Sequence, residues 1–492
     1  MAKIVVVGAG IGGLSAAGAL AKQGHQVIVL EAHVYPGGCA GTFFHKKMRF
    51  DAGATLAGGF YPNGPMDKVA QALDIASWGG VPVAETMRVQ LPSGQSIMRY
   101  ADERRHAERE RAFGTQSRAF WTWQEQTADL LWALANQTPS WPPQSLGQTR
   151  NLIRTGLRWL NKHKPYRQLP RLLWDGLRSV GGRLRDQSQA LRLFLDAQLL
   201  IASQATSQHT NALYAASALD LPRRGIEHFP KGLGSIASSM VDAVRQHGGE
   251  VYMRQEVNRV QHQPHRQPML VHTKRGAQFE ADQVIFNLPP WNIRTLLEQR
   301  APKSVQKLPQ MPRTGGGAFM IYASVDTHVL GNAPVHHHQL VLREPLGEGN
   351  SLFLSLGGDD PTRAPEGQRP LTISTHTQLE RWWPLFEQDR DAYEAQKASM
   401  QEQMLESIRQ AFPTLHAGIR WSMPGTPVTF QRFTRRAWGW VGGFPQVRLW
   451  GHWGPRLQKH IWMVGDSIFP GQSIAATALG GLRVARDLHH SI

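Results

Sequence analysis

Cysteine is almost missing from this chain: Cys39 is the one thiol among 492 residues. No disulfide can form within it, and such usage fits a reducing compartment. Long apolar runs are missing as well. No stretch of about 18 uncharged apolar residues occurs, so no spanning helix is expected. No basic start leads into a short apolar segment, so no secretory signal is read either. Acidic residues are scarce, 37 against 54 Lys and Arg, for a net charge of +17. That charge attracts anionic partners: nucleic acid, anionic lipid headgroups or acidic ligands. Ser/His/Asp arrangements, paired-carboxylate motifs and Cys/His metal-ligand spacings are also absent. No metal is expected, and chemistry carried by a bound cofactor is consistent with what is left.

What is present is an ordinary globular balance, 41% apolar and 18% charged. At this length two or three lobes are expected, since single cores stop growing near about 250–300 residues. The most informative stretch is VVVGAGIGGL, Val5 to Leu14. Lys3–Val7 reads as a buried parallel strand, short and β-branched. Gly8, Gly10 and Gly13 follow in G-x-G-x-x-G spacing, with Gly12 between them. An alanine-rich helix is predicted from Leu14 to about Lys22, closed by Gly24. A second strand, Gln26–Leu30, ends at Glu31. Gly8 permits the tight turn, Gly10 a close approach to a pyrophosphate, and Gly13 close packing of helix on strand. The helix N-terminus offers free N–H groups to phosphate, and Glu31 would accept from ribose hydroxyls.

A second glycine pair, Gly37-Gly38, lies in EAHVYPGGCAGTF, and another close-approach loop is FDAGATLAGG, Phe50 to Gly59. This extended pattern resembles the flavoprotein family of amine oxidases, protoporphyrinogen oxidases and carotenoid desaturases, and so implies FAD. That family usually has an arginine after the glycine pair. Here Cys39 stands in its place, which removes one phosphate contact and argues against a typical amine oxidase. WMVGDSIFPGQSIAATALGGLRVARDL, Trp462 to Leu488, is the second block. The resemblance implies that Gly465-Asp466 sets its carboxylate on the ribityl hydroxyls. A helix beginning near Gln472 or Ser473, with Ser473 and Ile474 at its start, would then stabilise charge on the flavin edge. The stretch at Glu256 and Val257 is implied to lie by the adenine. The expected fold class is α/β with an α+β substrate lobe. Its discontinuous Rossmann-type FAD domain spans residues 1–75, 225–295 and 425–492. A substrate and membrane-interface domain, 76–224 and 296–424, is inserted.

TRRAWGWVGGFPQ, Thr434 to Gln446, and GDSIFPGQS resemble loops of carotenoid isomerases and desaturases. GGCAGTF, FDAGAT and ERERAFGTQSRAFWTWQ (Glu108 to Gln124) are most similar to the cyanobacterial-type carotenoid 3',4'-desaturases. The resemblance implies an acyclic carotenoid substrate, hydride transfer to flavin N5, and a quinone or oxygen as electron acceptor. The alternative is a cis-trans isomerase that uses reduced flavin with no net oxidation. No catalytic residue is assigned. Asp51 is a weak candidate proton acceptor, since an acid beside such a loop more often caps a turn.

From Arg150 to Arg192 eleven Lys and Arg face only Asp175 and Asp186. Arg150, Arg154, Arg158 and Lys162 recur every four residues, one cationic helical stripe, with Leu152, Ile153, Leu157, Trp174 and Leu177 interleaved. A solvated face is one reading. A helix in an anionic bilayer interface is the other, and it suits a carotenoid enzyme bound peripherally on the cytoplasmic side. Nucleic acid is not expected, because no binding module accompanies the charge. The triple histidine His336–His338 reads as a surface or strand segment rather than a metal site, because neighbours on a strand face opposite ways. Trp438 and Trp440 are the tryptophans best placed to line a carotenoid tunnel. Asp359 to Pro370 reads as loop.

Overall fold

The computed structural model describes residues 1–262, 268–330, 335–450 and 453–492. Its first layer is a six-stranded sheet in the order Glu250–Tyr252, Gln26–Leu30, Lys3–Val7, Gln283–Phe286, Ile461–Met463, Arg456–Gln458. The first five run parallel and the last is antiparallel. Val5 pairs with Ile28 on one side and Val284 on the other. The central strands are apolar because they are covered: the helices Ile11–Lys22 and Gly234–Gln246 share their core, as does a three-stranded sheet, Val257–Gln261, Met269–Thr273 and Gln278–Ala281. The strands come from both ends and the middle of the chain, so the mixed α/β, Rossmann-type architecture expected from the sequence is present.

The helix expected from Leu14 starts earlier, at Ile11, and ends at Lys22. Gly12 and Gly13 are helical despite their poor propensity, because neighbouring backbone presses on them. A Cβ at Gly13 would lie 2.6 Å from Gly8 O, and one at Gly12 would lie 3.2 Å from Gly465 N. The C-terminal helix Ile474–His489 crosses the first helix closely: a Cβ at Gly481 would lie 2.4 Å from Gly12 O. Ser15 Oγ donates to Ala478 O at 2.8 Å across that crossing.

The second layer is a seven-stranded, largely antiparallel sheet. Its order is Ile419–Gly425, Gly317–Asp326, Gln368–Thr377, Ser351–Leu356, His337–Val341, Glu85–Gln90, Ser96–Tyr100. Period-two alternation sends Ala318, Met320 and Tyr322, with Phe353, Ser374 and His376, toward the space between the layers. The opposite face packs on Arg390–Ala411 and its neighbours through Phe319, Ile321, Trp382 and Met404.

A group of helices, Arg118–Ala135, Leu146–His163, Leu169–Gly176, Gln189–Ser203 and Ala212–Ala218, closes one end. The basic stripe lies on the second of these, with Arg150, Arg154, Arg158 and Lys162 all exposed. No helix among the described residues is long and apolar enough to cross a membrane.

Of the two readings of the triple histidine, the strand holds: His337 and His338 open an inner strand of the second sheet, with His337 buried and His336 and His338 half-buried. Two local expectations are corrected. Trp440 lines no tunnel; it is fully buried against Trp291 and Phe444. The Asp359–Pro370 loop already joins the sheet at Gln368.

Gly481→Val is expected to lower unfolding free energy by about 2 kcal/mol through overpacking at the helix crossing. Denaturant unfolding of the two proteins measures it.

Candidate active site

The two layers enclose one large cavity of about 2100 Å³. Eleven of the twelve residues singled out for a cofactor line it: Gly8, Gly10, Gly12, Glu31, Gly37, Gly38, Val257, Gly465, Asp466, Ser473 and Ile474. Gly13 does not; it serves the helix–strand contact described above.

At one wall Gly8 has φ +100°, a conformation that favours glycine. Gly10 caps the first helix with no side-chain hydrogen bond, so the first-turn N–H groups have no side-chain acceptor. Glu31 ends the second strand. Its carboxylate accepts from Ala9 N at 2.7 Å and His33 N at 2.8 Å. Burial pushes its pKa up, and these backbone donors pull against that.

The Gly37–Gly41 loop continues the wall and carries the Ala52–Leu56 loop on it: Ala54 N donates to Cys39 O at 2.9 Å. Burial raises the Cys39 thiol pKa, Arg436 opposing. A neutral thiol is a poor nucleophile.

Beside this first turn runs the Gly465–Ile474 segment, where a Gly12 Cβ would lie 3.2 Å from Gly465 N. Gly465 has φ +114° and Ser473, a non-glycine, φ +101°. Strain of this kind collects at functional sites. Ser473 caps the C-terminal helix, its hydroxyl accepting from Ala476 N at 3.1 Å. Asp466 pairs with Arg436 at 2.7 Å, and Arg436 Nε also donates to Trp440 O at 2.8 Å.

Two residues here carried no assignment from the sequence. Arg436 was legible only as one arginine of a quoted loop. Asn287 lies across the first glycine turn, where a Cβ at Gly10 would come 2.4 Å from its Nδ2. Its one signal was its place at a strand end.

Asp51 is not on this cavity. Its carboxylate takes Thr42 Oγ1 at 2.7 Å and Leu233 N at 2.8 Å, and it pairs with the buried Arg363 at 2.8 Å. It ties three segments together and holds a turn, so it is not the proton acceptor of this chamber.

An uncapped helix N-terminus beside a glycine turn, an acid at the next strand end, and a second capped helix beside them suit a long dinucleotide. The family model described as flavin containing amine oxidoreductase matches residues 11–487. The chain belongs to that family. FAD is its cofactor, and when bound it supplies a hydride acceptor or, reduced, a donor. The relative in Arabidopsis thaliana named prolycopene isomerase, chloroplastic, is 27% identical, over 98% of this chain and 82% of that protein. A relative in Danio rerio named all-trans-retinol 13,14-reductase is 22% identical, over 99% of this chain and 86% of that protein. Among solved structures, putrescine oxidase bound to putrescine superposes with TM-score 0.61 at 17% identity, covering 99% of each chain. An oxidoreductase from Methanosarcina mazei gives TM-score 0.60 at 17% identity, over 98% of this chain and 100% of that one. These two share the fold.

Arg436→Leu leaves the Asp466 carboxylate without its partner and is expected to cost about 3 kcal/mol of stability. Arg436→Leu with Asp466→Asn should recover part of that loss. Denaturant unfolding of the single and double variants measures the coupling.

Proposed function

We propose that this flavoenzyme acts on the conjugated chain of a carotenoid drawn from a membrane surface. The cavity carries the reading. Single-ligand sites run to about 1,000 Å³, so about 2100 Å³ accommodates FAD and a long polyene together. The region away from the glycine loops is apolar: Leu131, Trp132, Leu134, Trp141, Leu152 and Trp450 line it. In this reading Gly8, Gly10 and Gly12 hold the diphosphate, with Gly37 and Gly38 alongside. Glu31 takes the ribose, Val257 the adenine, Asp466 on Gly465 the ribityl chain, and Ser473 and Ile474 the flavin edge. The FAD domain is 1–75, 225–295 and 425–492.

Two reactions fit that chamber. Cis-trans isomerisation with reduced FAD is supported by the prolycopene isomerase relatives, matched over 98% of the chain. Desaturation of the 3',4' type, with a quinone or oxygen as acceptor, is supported by the GGCAGTF, FDAGAT and Glu108–Gln124 stretches. Neither reaction requires a strong acid–base pair, since a polyene cation needs only a weak base.

The apolar end of the chamber opens toward an apolar and basic surface. Trp141 stacks edge-on with Trp450 at 4.9 Å, and Gly176 lies against Leu449. Around them Ile153, Leu157, Leu173, Trp174, Leu177 and Trp450 are more than half exposed. Apolar side chains beside a cationic helix face suit the interface of an anionic bilayer.

An acyclic carotenoid in liposomes, supplied once as a poly-cis form and once as a saturated-end form with a quinone, tests the chemistry. Unchanged mass with loss of the cis band means isomerase. Loss of two hydrogens with a red-shifted spectrum means desaturase. No change of either kind with FAD bound overturns the carotenoid reading. Replacing Arg154, Arg158 and Lys162 by Glu is expected to release the protein from phosphatidylserine vesicles, each charge contributing about 1 kcal/mol. Unchanged co-sedimentation overturns the membrane face.

A further inference from the structure

One cation on the chamber wall has no acid beside it. Arg99 belongs to Ser96–Tyr100, an edge strand of the second sheet, and is half-buried. Both Arg99 and its register partner Met87 line the large cavity. Arg99 Nη1 donates to Gln198 Oε1, and its Nη2 donates to Leu219 O at 3.0 Å. Gln198 is 4% exposed and is held in turn: its Nε2 donates to Gln339 Oε1, and Gln339 Nε2 donates to Ala197 O at 2.9 Å. The Phe194 ring centre lies 5.9 Å from the guanidinium carbon.

Both acceptors are neutral, and they take two of the five N–H groups that a guanidinium carries. Among the described residues no carboxylate forms an ion pair with Arg99. By contrast Arg109, Arg363 and Arg436 each meet one, at 2.6, 2.8 and 2.7 Å. Burial pushes the Arg99 pKa down to about 9, with the Arg109 cation adding to the effect and Asp220 opposing it. The group therefore still carries its charge at neutral pH. Asp220 does not neutralise it, being engaged by Arg223 and Arg224.

A charge withdrawn from water without a counter-charge is unfavourable, and an anion delivered to it recovers that loss. The planar fork of a guanidinium fits the two oxygens of a carboxylate. Neighbouring cations do not add to the site. Arg109, Arg223 and Arg224 are engaged by Glu125, Asp129 and Asp220, and none of the three lines the chamber. One positive charge matches one carboxylate better than a doubly charged phosphate.

We propose that Arg99 anchors a carboxylate at the end of the substrate's apolar chain, so that the chamber selects polyene acids.

This rests on the polyene reading above and names the end group of that substrate. Gln198 is a positioning residue. Held by Gln339, it keeps the Arg99 fork in one orientation, and the fork's remaining N–H groups are left for the ligand. An alcohol or an ester of the same chain brings no charge to the site and leaves the cation unpaired.

The test uses the FAD-loaded protein in a nonionic detergent, with dissociation constants measured by calorimetry. Four probes are compared: an acyclic C20 polyene acid, its primary alcohol, its methyl ester and the saturated C20 acid. The native protein is expected to bind the polyene acid about 10²-fold tighter than the alcohol or the ester. Arg99→Leu should remove that preference with FAD content unchanged, and Arg99→Lys should keep part of it. The basic helix stripe is intact in both variants, so a preference that survives Arg99→Leu belongs to the surface and overturns the anchor. The native comparison decides by itself where a variant does not fold. Polyene acid, alcohol and ester bound alike overturn the anchor and leave the polyene reading standing. The saturated acid held through Arg99, with none of the polyenes bound, supports the anchor and overturns the polyene reading. No binding of any probe overturns both.

Discussion

Where the first and last helices cross, there is room for backbone and little else. The Gly481 position lies 2.4 Å, in Cβ terms, from Gly12 O, and the Gly12 position 3.2 Å from Thr477 O. Larger residues there would push the helices apart. Because they stay close, the loops that begin them, Gly8–Gly10 and Gly465–Ser473, open on one cavity. Two anion-favouring helix starts drawn from opposite ends of the chain therefore border the same space.

The remaining walls follow from the two sheets. The parallel sheet is apolar on both faces and serves as a rigid floor for the glycine turns. The second sheet alternates, with one face in a dry core and the other toward the chamber. Two of the acids nearest the glycine walls are held in place: Asp466 pairs with Arg436, and Glu31 accepts from Ala9 N and His33 N, while Asp51 is turned away to Arg363 and the Leu233 turn. A site built this way holds and orients a cofactor, and leaves the hard chemistry to the flavin.

Much of the fold was legible because its signals are local. A β-branched run, a glycine turn, an alanine-rich helix and a strand ending in Glu31 make one βαβ unit whatever surrounds them. The start of the first helix was read three residues late, because Gly12 and Gly13 look like loop until the last helix presses on Gly12 and the Gly8 turn and Asn287 press on Gly13. Of the two tryptophans assigned to a tunnel, Trp438 lines the chamber and Trp440 is buried away from it. A tryptophan's sequence neighbours do not say which side of a loop its ring will face. Asp51 was correctly weighed as a turn-holding acid, although its partner Arg363 lies far along the chain.

By itself the sequence determined the α/β class, the two glycine blocks and the acid after the second strand, since these depend on spacing within a few turns of chain. It also determined the cationic stripe, through its four-residue repeat. Only the tertiary structure decided that Arg436 meets Asp466 and that Asn287 lies across Gly10. It alone placed Arg99 against Gln198 on the chamber wall. Those contacts join residues that are distant in sequence. Strand order and register bring them together, and no local pattern of residue types encodes that pairing.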